Sequence, residues 1–209
     1  MKFSTFFSKQ ARKPTGIFGR FYMSRIFEKG NSELNAFVKE ILSAKGNDNI
    51  LEIGCGTGML LTQIADDLDD GFIEGIDFSQ SMISIAQKKK ISHINGKKIV
   101  IRHGDFDELK FEDNYYDKIF SVNTIYFWKD PIVTISKIVD LLKPKGMLVL
   151  GFHEKSEMEI MNLDKGIFQF YSSKDIIKLL TTEGKLNDVK VISRKGHRII
   201  NYCAIGTKC

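Results

Sequence analysis

Leu51-Glu52-Ile53-Gly54-Cys55-Gly56-Thr57-Gly58 decides the fold. A short apolar run, Ile50–Ile53, enters it. Met59–Leu68 leaves it with Leu60, Leu61, Ile64, Ala65 and Leu68 at helical spacing. Strand, glycine turn and helix in that order open a βαβ unit. Glycines permit the sharp turn and let a ligand approach where a Cβ would stand. The N–H groups at the start of the following helix suit a carboxylate or phosphate. The spacing is Gly-x-Gly-x-Gly. A dinucleotide fingerprint would place glycine at 59, where the chain has Met59.

Alternation continues outward. Phe72–Ile76, Lys98–Arg102, Asp117–Val122 and Met147–Phe152 read as further strands, nearly all apolar. Between them, Ser79 caps a helix to Lys90, and Asp130-Pro131 caps another that runs to Lys143-Pro144-Lys145-Gly146. Such strands imply a parallel sheet covered on both faces. Ser172 and Asp175 open a late helix in a capping-box pattern that ends near Gly184. Val189–Ser193 and Ile199–Ile205, joined at Lys195-Gly196-His197, form an antiparallel pair.

Upstream, Met1–Lys13 reads as a loosely docked segment. Pro14 opens a helix to about Lys29, apolar on most faces, with one polar stripe of Arg20, Ser24 and Glu28. Ser32 caps a second helix, Glu33–Ala44, with Leu34, Phe37, Val38, Ile41 and Leu42 inward. The chain thus divides into an N-terminal basic arm and helical cap, 1–45, and an α/β domain, 46–209.

The 209 residues suit this organisation, and 43% hydrophobic against 27% charged is a globular balance. No apolar run is long enough for a transmembrane helix, and no secretory signal is legible. Three cysteines without metal spacing fit a reducing, cytoplasmic setting, and no metal site is expected. The net charge of +5 resides in residues 1–29, which carry +6; the remainder carries −1. The main body therefore offers no electrostatic case for nucleic acid. The arm joins its charge to Phe3, Phe6, Phe7, Phe18, Phe21 and Phe27, a composition that suits an anionic membrane surface. Lys88-Lys89-Lys90 and Lys97-Lys98 read as solvated faces, and His93 and His197 as surface or turn residues.

Three acids fall at or near the carboxyl ends of adjacent strands, where open α/β sheets bind ligands: Glu52, Asp77 and Asp105. Asp77 lies 19 residues after Gly58, where an acid accepts hydrogen bonds from ribose hydroxyls. Asp105 suits an exocyclic amine, and Phe106 the face of a purine.

Glu52–Gly58, Gly75–Ser79, Gly104–Phe106 and Leu141–Gly146 resemble the successive motifs of class I S-adenosylmethionine-dependent methyltransferases. The likeness is to the small-molecule branch that includes the ubiquinone/menaquinone-biosynthesis type, and it covers roughly Asn31 to the C-terminus. It implies a Rossmann-like seven-stranded, mostly parallel sheet with an antiparallel last strand and helices on both faces. It also implies S-adenosylmethionine as cofactor and S-adenosylhomocysteine as product. By this resemblance Gly54, Gly56 and Gly58 line the methionine moiety, and Glu52, Cys55 and Thr57 belong to the same cofactor-binding set. Asp77 would hold the ribose, Asp105 with Phe106 the adenine, and Asn123 would sit near the reacting sulfonium; Phe78, Met82 and Gly104 are further cofactor-binding residues.

Asn123-Thr124-Ile125-Tyr126-Phe127-Trp128 follows the fourth strand, where an acceptor would lie. Its Asn-x-x-Tyr order is similar to the Asn-Pro-Pro-Tyr of amino-methylating DNA enzymes. Both prolines are absent, and the body is not basic. Tyr126 and Trp128, with Phe18 and Tyr22 of the cap, instead suit the wall of a pocket for a small, apolar or aromatic acceptor. His153 and Tyr126 are the candidate general bases. Two other readings use the same sheet: a nicotinamide-dependent oxidoreductase, and a non-catalytic nucleoside-binding module docked on membrane through the arm.

Overall fold

The computed structural model describes residues 3–91 and 98–209. The expectations for His93 and Lys97 fall outside them. Seven strands form one sheet: β1 (Asn49–Ile53), β2 (Phe72–Asp77), β3 (Lys98–His103), β4 (Tyr116–Val122), β5 (Leu142–Phe152), β6 (Asn187–Lys195) and β7 (Ile200–Thr207). Their order is β3-β2-β1-β4-β5-β7-β6. β1 to β5 pair in parallel, and β7 inserts between β5 and β6, antiparallel to both. The order reverses at β1, so the carboxyl ends of β1 and β4 part and leave a crevice there.

Helices α3 (Ser32–Leu42), α4 (Met59–Ala65), α5 (Gln80–Ile91), α6 (Pro131–Leu141) and α8 (Ser173–Lys178) pack around the sheet, and the single turn α7 (Lys155–Met158) follows β5. Leu34, Phe37, Val38 and Leu42 of α3 share one apolar cluster with Ile50, Phe120, Val149 and Cys203 from four strands. Fully burying each such aliphatic side chain contributes roughly 1.5–3 kcal/mol. A second cluster unites α6 and α8 with β4 and β5 through Ile119, Ile135, Ile138, Leu148 and Ile176.

Asp130 caps α6 through the amides of Ile132 and Val133, with Pro131 at the first helical position. Ser172 and Asp175 form the reciprocal capping box that the sequence announces. Ser32 does not cap α3: its hydroxyl donates back to the Lys29 carbonyl, and Asn31 holds the cap position without a side-chain bond to the helix amides. β5 begins at Leu142, five residues before expectation, because Tyr116 pairs with Leu142 before a register shift.

The arm departs furthest from expectation. The segment read as loosely docked is α1 (Phe3–Arg12). The helix expected from Pro14 starts two residues later, at Gly16 with φ +63°, and Gln10 ties off the break after α1 by accepting from the Thr15 amide and donating to its hydroxyl. The chain then forms a wide π-helical turn, Phe18–Met23, continuous with α2 (Ser24–Gly30). α1 is anchored by Asp164, which accepts from the Thr5 hydroxyl and donates its amide to Ser8. Among the described residues, no helix is long and apolar enough to cross a membrane.

Candidate active site

A cavity of about 1400 Å³ opens over the carboxyl ends of β1, β2 and β4 and beneath the arm. Cavities that take one drug-sized ligand span roughly 300–1,000 Å³, so this one has room for two molecules side by side.

Its floor is the glycine turn. Gly54, Gly56 and Gly58 all have positive φ, of 77°, 53° and 70°. A Cβ on Gly54 would meet Thr124 at 2.3 Å, whereas a Cβ on Gly56 would meet nothing within 4 Å. Gly54 is therefore needed for packing against the β4 loop, and Gly56 leaves open space for a ligand. Asp77, 8% exposed, holds the turn: one carboxylate oxygen accepts from the Gly56 amide at 2.9 Å and the other from the Ser79 amide at 2.7 Å. Each oxygen keeps a lone pair. Burial raises the Asp77 pKa, and the two amides, with His103 and Lys13, oppose that rise.

Glu52, 4% exposed, lies beside Asp77. Burial pushes its pKa well above the ordinary carboxylate range, and the neighbouring Asp77 charge pushes the same way. Its Oε2 atom is buried with no hydrogen-bond partner among the described residues. Such an orphan acceptor is costly and points to a donor supplied by a ligand. Cys55 is buried, and its thiol pKa is raised by burial and the same two acids, so it is inert filler.

On the β3 side, Gly104, Asp105 and Phe106 line the cavity. Asp105 accepts from the Asp107 amide at 3.1 Å in a tight turn, and Phe106 is buried. Phe78 and Met82 line the wall beside Asp77, and Lys13 of the arm stands over the Phe78 ring at 5.4 Å.

The β4 end carries Asn123, held at φ 55°. Its amide group donates to Asn31 Oδ1 at 3.0 Å, and its own Oδ1 lies 3.2 Å from the Tyr126 hydroxyl. That hydroxyl also accepts from the His153 amide at 2.6 Å. Tyr126 is buried, and burial raises its pKa well above that of free tyrosine. His153 stands at the end of β5. Its Nδ1 is 3.3 Å from the Ile200 carbonyl, and burial lowers its pKa. A neutral imidazole that donates through Nδ1 carries its lone pair on Nε2.

Of the expected residues, Glu52, Gly54, Cys55, Gly56, Thr57, Asp77, Phe78, Met82, Gly104, Asp105, Phe106, Asn123, Tyr126, Trp128, His153 and Tyr22 line this one cavity. Gly58 and Phe18 are not among the lining residues. Gly58 packs toward Ala86, and Phe18 packs against Phe6 and Tyr22, with ring centroids 5.0 and 4.7 Å away. The sequence reading missed Phe7, Ala11 and Arg12 of α1. It also missed Glu157, Met158 and Phe168 from the segment after β5. A break at Pro14 and an aperiodic run after His153 hid both sets.

Fold and site together define the class I S-adenosylmethionine-dependent methyltransferase architecture. Residues 51–150 match the family described as methyltransferase domain. Over 136 residues the chain is 26% identical to the demethylmenaquinone methyltransferase of Bacillus pumilus, covering 63% of this chain and 56% of that one. It spans about half the length of the curated relatives it matches. Among solved structures it is similar to a putative methyltransferase from Haloferax volcanii in complex with the Trm112 activator. There the TM-score is 0.78 at 18% identity, covering 91% of this chain and 95% of that one. It is also similar to a phosphoethanolamine N-methyltransferase of Haemonchus contortus solved with S-adenosylhomocysteine. There the TM-score is 0.73 at 16% identity, covering 88% of this chain and 56% of that one. S-adenosylmethionine is the cofactor of this class. The orphan Glu52 Oε2, the open space over Gly56 and the spare lone pairs of Asp77 fit such a molecule.

Proposed function

We propose that this protein transfers a methyl group from S-adenosylmethionine to a small acceptor with an apolar or aromatic body. The observation that carries the reading is the convergence of Glu52, Asp77 and the open Gly56 backbone on one crevice large enough for cofactor and acceptor together.

S-adenosylmethionine supplies a methyl group already activated on a sulfonium, so the protein's task is alignment and exclusion of water. Gly54 and Gly56 bring backbone close to the methionine part, and Glu52 offers its free oxygen to a donor there. Asp77 takes the ribose hydroxyls. Asp105 and Phe106 flank the adenine. Asn123 borders the reacting centre, and Tyr22, Trp128 and Phe168 wall the acceptor.

For an acceptor that must lose a proton, His153 fits the role of base better than Tyr126. Burial keeps its imidazole neutral at physiological pH, and the Ile200 carbonyl selects the tautomer with the Nε2 lone pair. The Tyr126 hydroxyl is occupied by the His153 amide and holds its proton far above neutrality. It serves instead to position the Asn123 and His153 strand ends.

The arm up to Asn31 acts as the cap, over an α3 built into the core. Its outward Phe21, 64% exposed, together with Phe3 and Ile17, favours peripheral contact with an anionic membrane. Equal flotation with anionic liposomes by the full chain and by a Phe3→Ser/Ile17→Ser/Phe21→Ser variant would remove that contact.

Calorimetric titration with S-adenosylhomocysteine tests the central reading. Folded protein should bind it, Asp77→Ala should lose most of the affinity, and NADH should give no comparable heat. Binding of NADH but not S-adenosylhomocysteine would transfer the site to hydride chemistry.

A further inference from the structure

We propose that Lys137 of α6 is the positioning residue for the loop Gly104–Leu109, and that it thereby sets how tightly the site grips the adenine end of its cofactor. The inference rests on reading the cavity as a cofactor site.

An ammonium has three protons, and Lys137 gives them to three carbonyls of this loop. Its Nζ lies 2.5 Å from the Phe106 carbonyl, 2.7 Å from that of Leu109 and 3.1 Å from that of Asp107. The same cation stands 4.8 Å from the Phe106 ring centroid and 5.3 Å from that of Phe111. One helical turn earlier, the Thr134 hydroxyl lies 2.9 Å from Asp107 Oδ1. Residues three apart share a helix face, so Thr134 and Lys137 clamp the loop from one side.

The loop's own ties are few. Asp105 accepts from the amides of Glu108 and Leu109 and from that of Asp107, and the Gly104 amide reaches the Asp77 carbonyl. These bonds close a turn at Asp105, but none engages the Phe106 or Asp107 carbonyl. Lys137 holds both. It also lies beneath the one aromatic ring of the loop that is buried and lines the cavity. Charge-assisted bonds of this kind are shorter and stronger than neutral ones, so the loop's position depends on them. A side chain that touches no ligand can in this way fix where Asp105 and Phe106 stand.

Calorimetry on the full chain tests the assignment, with S-adenosylhomocysteine and 5′-methylthioadenosine as probes. The second probe shares the nucleoside and lacks the amino-acid end. Lys137→Met should weaken both by about ten-fold and by the same factor, while Lys137→Arg, which keeps the charge and several donors, should recover most of the loss. Folded Lys137→Met that binds both probes like wild type would overturn the proposal. So would a loss confined to S-adenosylhomocysteine, since the defect would then lie at the amino-acid end. Should Lys137→Met fail to fold, Thr134→Val provides the second arm, with a loss of about two- to three-fold expected on both probes. Unchanged affinities in folded Thr134→Val would then overturn the clamp. Failure of wild type itself to bind either probe strikes the cofactor reading instead, so the two failures are distinct.

Discussion

The side chains of Asn31 and Asn123 meet at 3.0 Å, joining the turn between α2 and α3 to the carboxyl end of β4. Asn123 is at once a wall of the cavity, a left-handed backbone position and a neighbour of the Tyr126 hydroxyl. The N-terminal arm is therefore tied to the β4 side of the cavity, where the proposed function has donor and acceptor meet. Asn31→Ala removes one neutral hydrogen bond, worth about 0.5–1.5 kcal/mol, and should weaken S-adenosylhomocysteine binding by about two- to ten-fold. Asn123→Ala should cost more stability, because alanine tolerates the left-handed region less well and two side-chain contacts go with it. Comparing thermal midpoints and affinities of the two variants checks this: Asn31→Ala moves affinity with little change in stability, and Asn123→Ala moves both.

Asp77 is predicted to be doubly costly to remove. Its two oxygens satisfy the Gly56 and Ser79 amides, so Asp77→Ala leaves the half-buried Gly56 amide and the buried Ser79 amide unpaired, the latter at about 1–3 kcal/mol. Asp77→Asn keeps one acceptor oxygen and should restore part of the fold's stability but little of the ribose contact. A denaturant titration beside a binding isotherm separates the effects. Equal affinity of wild type and Asp77→Asn would show that the carboxylate is not the ribose ligand.

His153 gives a pH signature. Burial lowers its pKa below the ordinary histidine value, so the base form should persist into mild acid. Methyl transfer to an acceptor that loses a proton should thus be flat through neutrality and fall only below the usual histidine range. In His153→Gln that acid limb should disappear, along with about two orders of magnitude in rate. The same shift bears on stability. The unfolded chain binds the proton more readily, so His153 subtracts stability as pH falls below its unfolded value of about 6.5. His153→Gln should be less sensitive to mild acid in thermal scans.

How much of this was legible beforehand differs by region. Glu52–Gly58 announced a strand, a glycine turn and a helix because glycine spacing and apolar periodicity are both local signals. Asp130-Pro131 and the Ser172/Asp175 capping box were readable for the same reason: each satisfies its own helix terminus within four residues. The arm was readable only in its helix ending near Lys29. Its break depends on Gln10 folding back on Thr15, and its seat depends on Asp164, some 160 residues away. Lys137 was invisible too. Its spacing places it on a helix surface like any solvated lysine, and only the return of the β3 loop brings three carbonyls to it. Phe18 counted as a pocket residue by its aromatic character, yet Phe6 claims one side of its ring in a contact the linear pattern does not carry.

Glu52 leads to the last prediction, one in which stability and function pull apart. Its Oε2 is buried and unpartnered among the described residues, and burial with the Asp77 charge raises its pKa well above the ordinary value. For an acid whose folded pKa is raised, the unfolded chain releases the proton first. Stability is therefore lost as pH rises from the unfolded value toward the folded one, and the full penalty stands above the folded pKa. Glu52→Gln removes the ionisation and keeps the shape. It should raise the thermal midpoint at neutral pH, and that advantage should shrink as the medium is acidified toward pH 4. If Oε2 receives a donor from the cofactor, the same variant should bind S-adenosylhomocysteine at least several-fold more weakly. Cofactor should then stabilise wild type more than Glu52→Gln, closing the gap between them in its presence. A variant that is more stable and binds equally well would show that this carboxylate strains the crevice without serving the ligand.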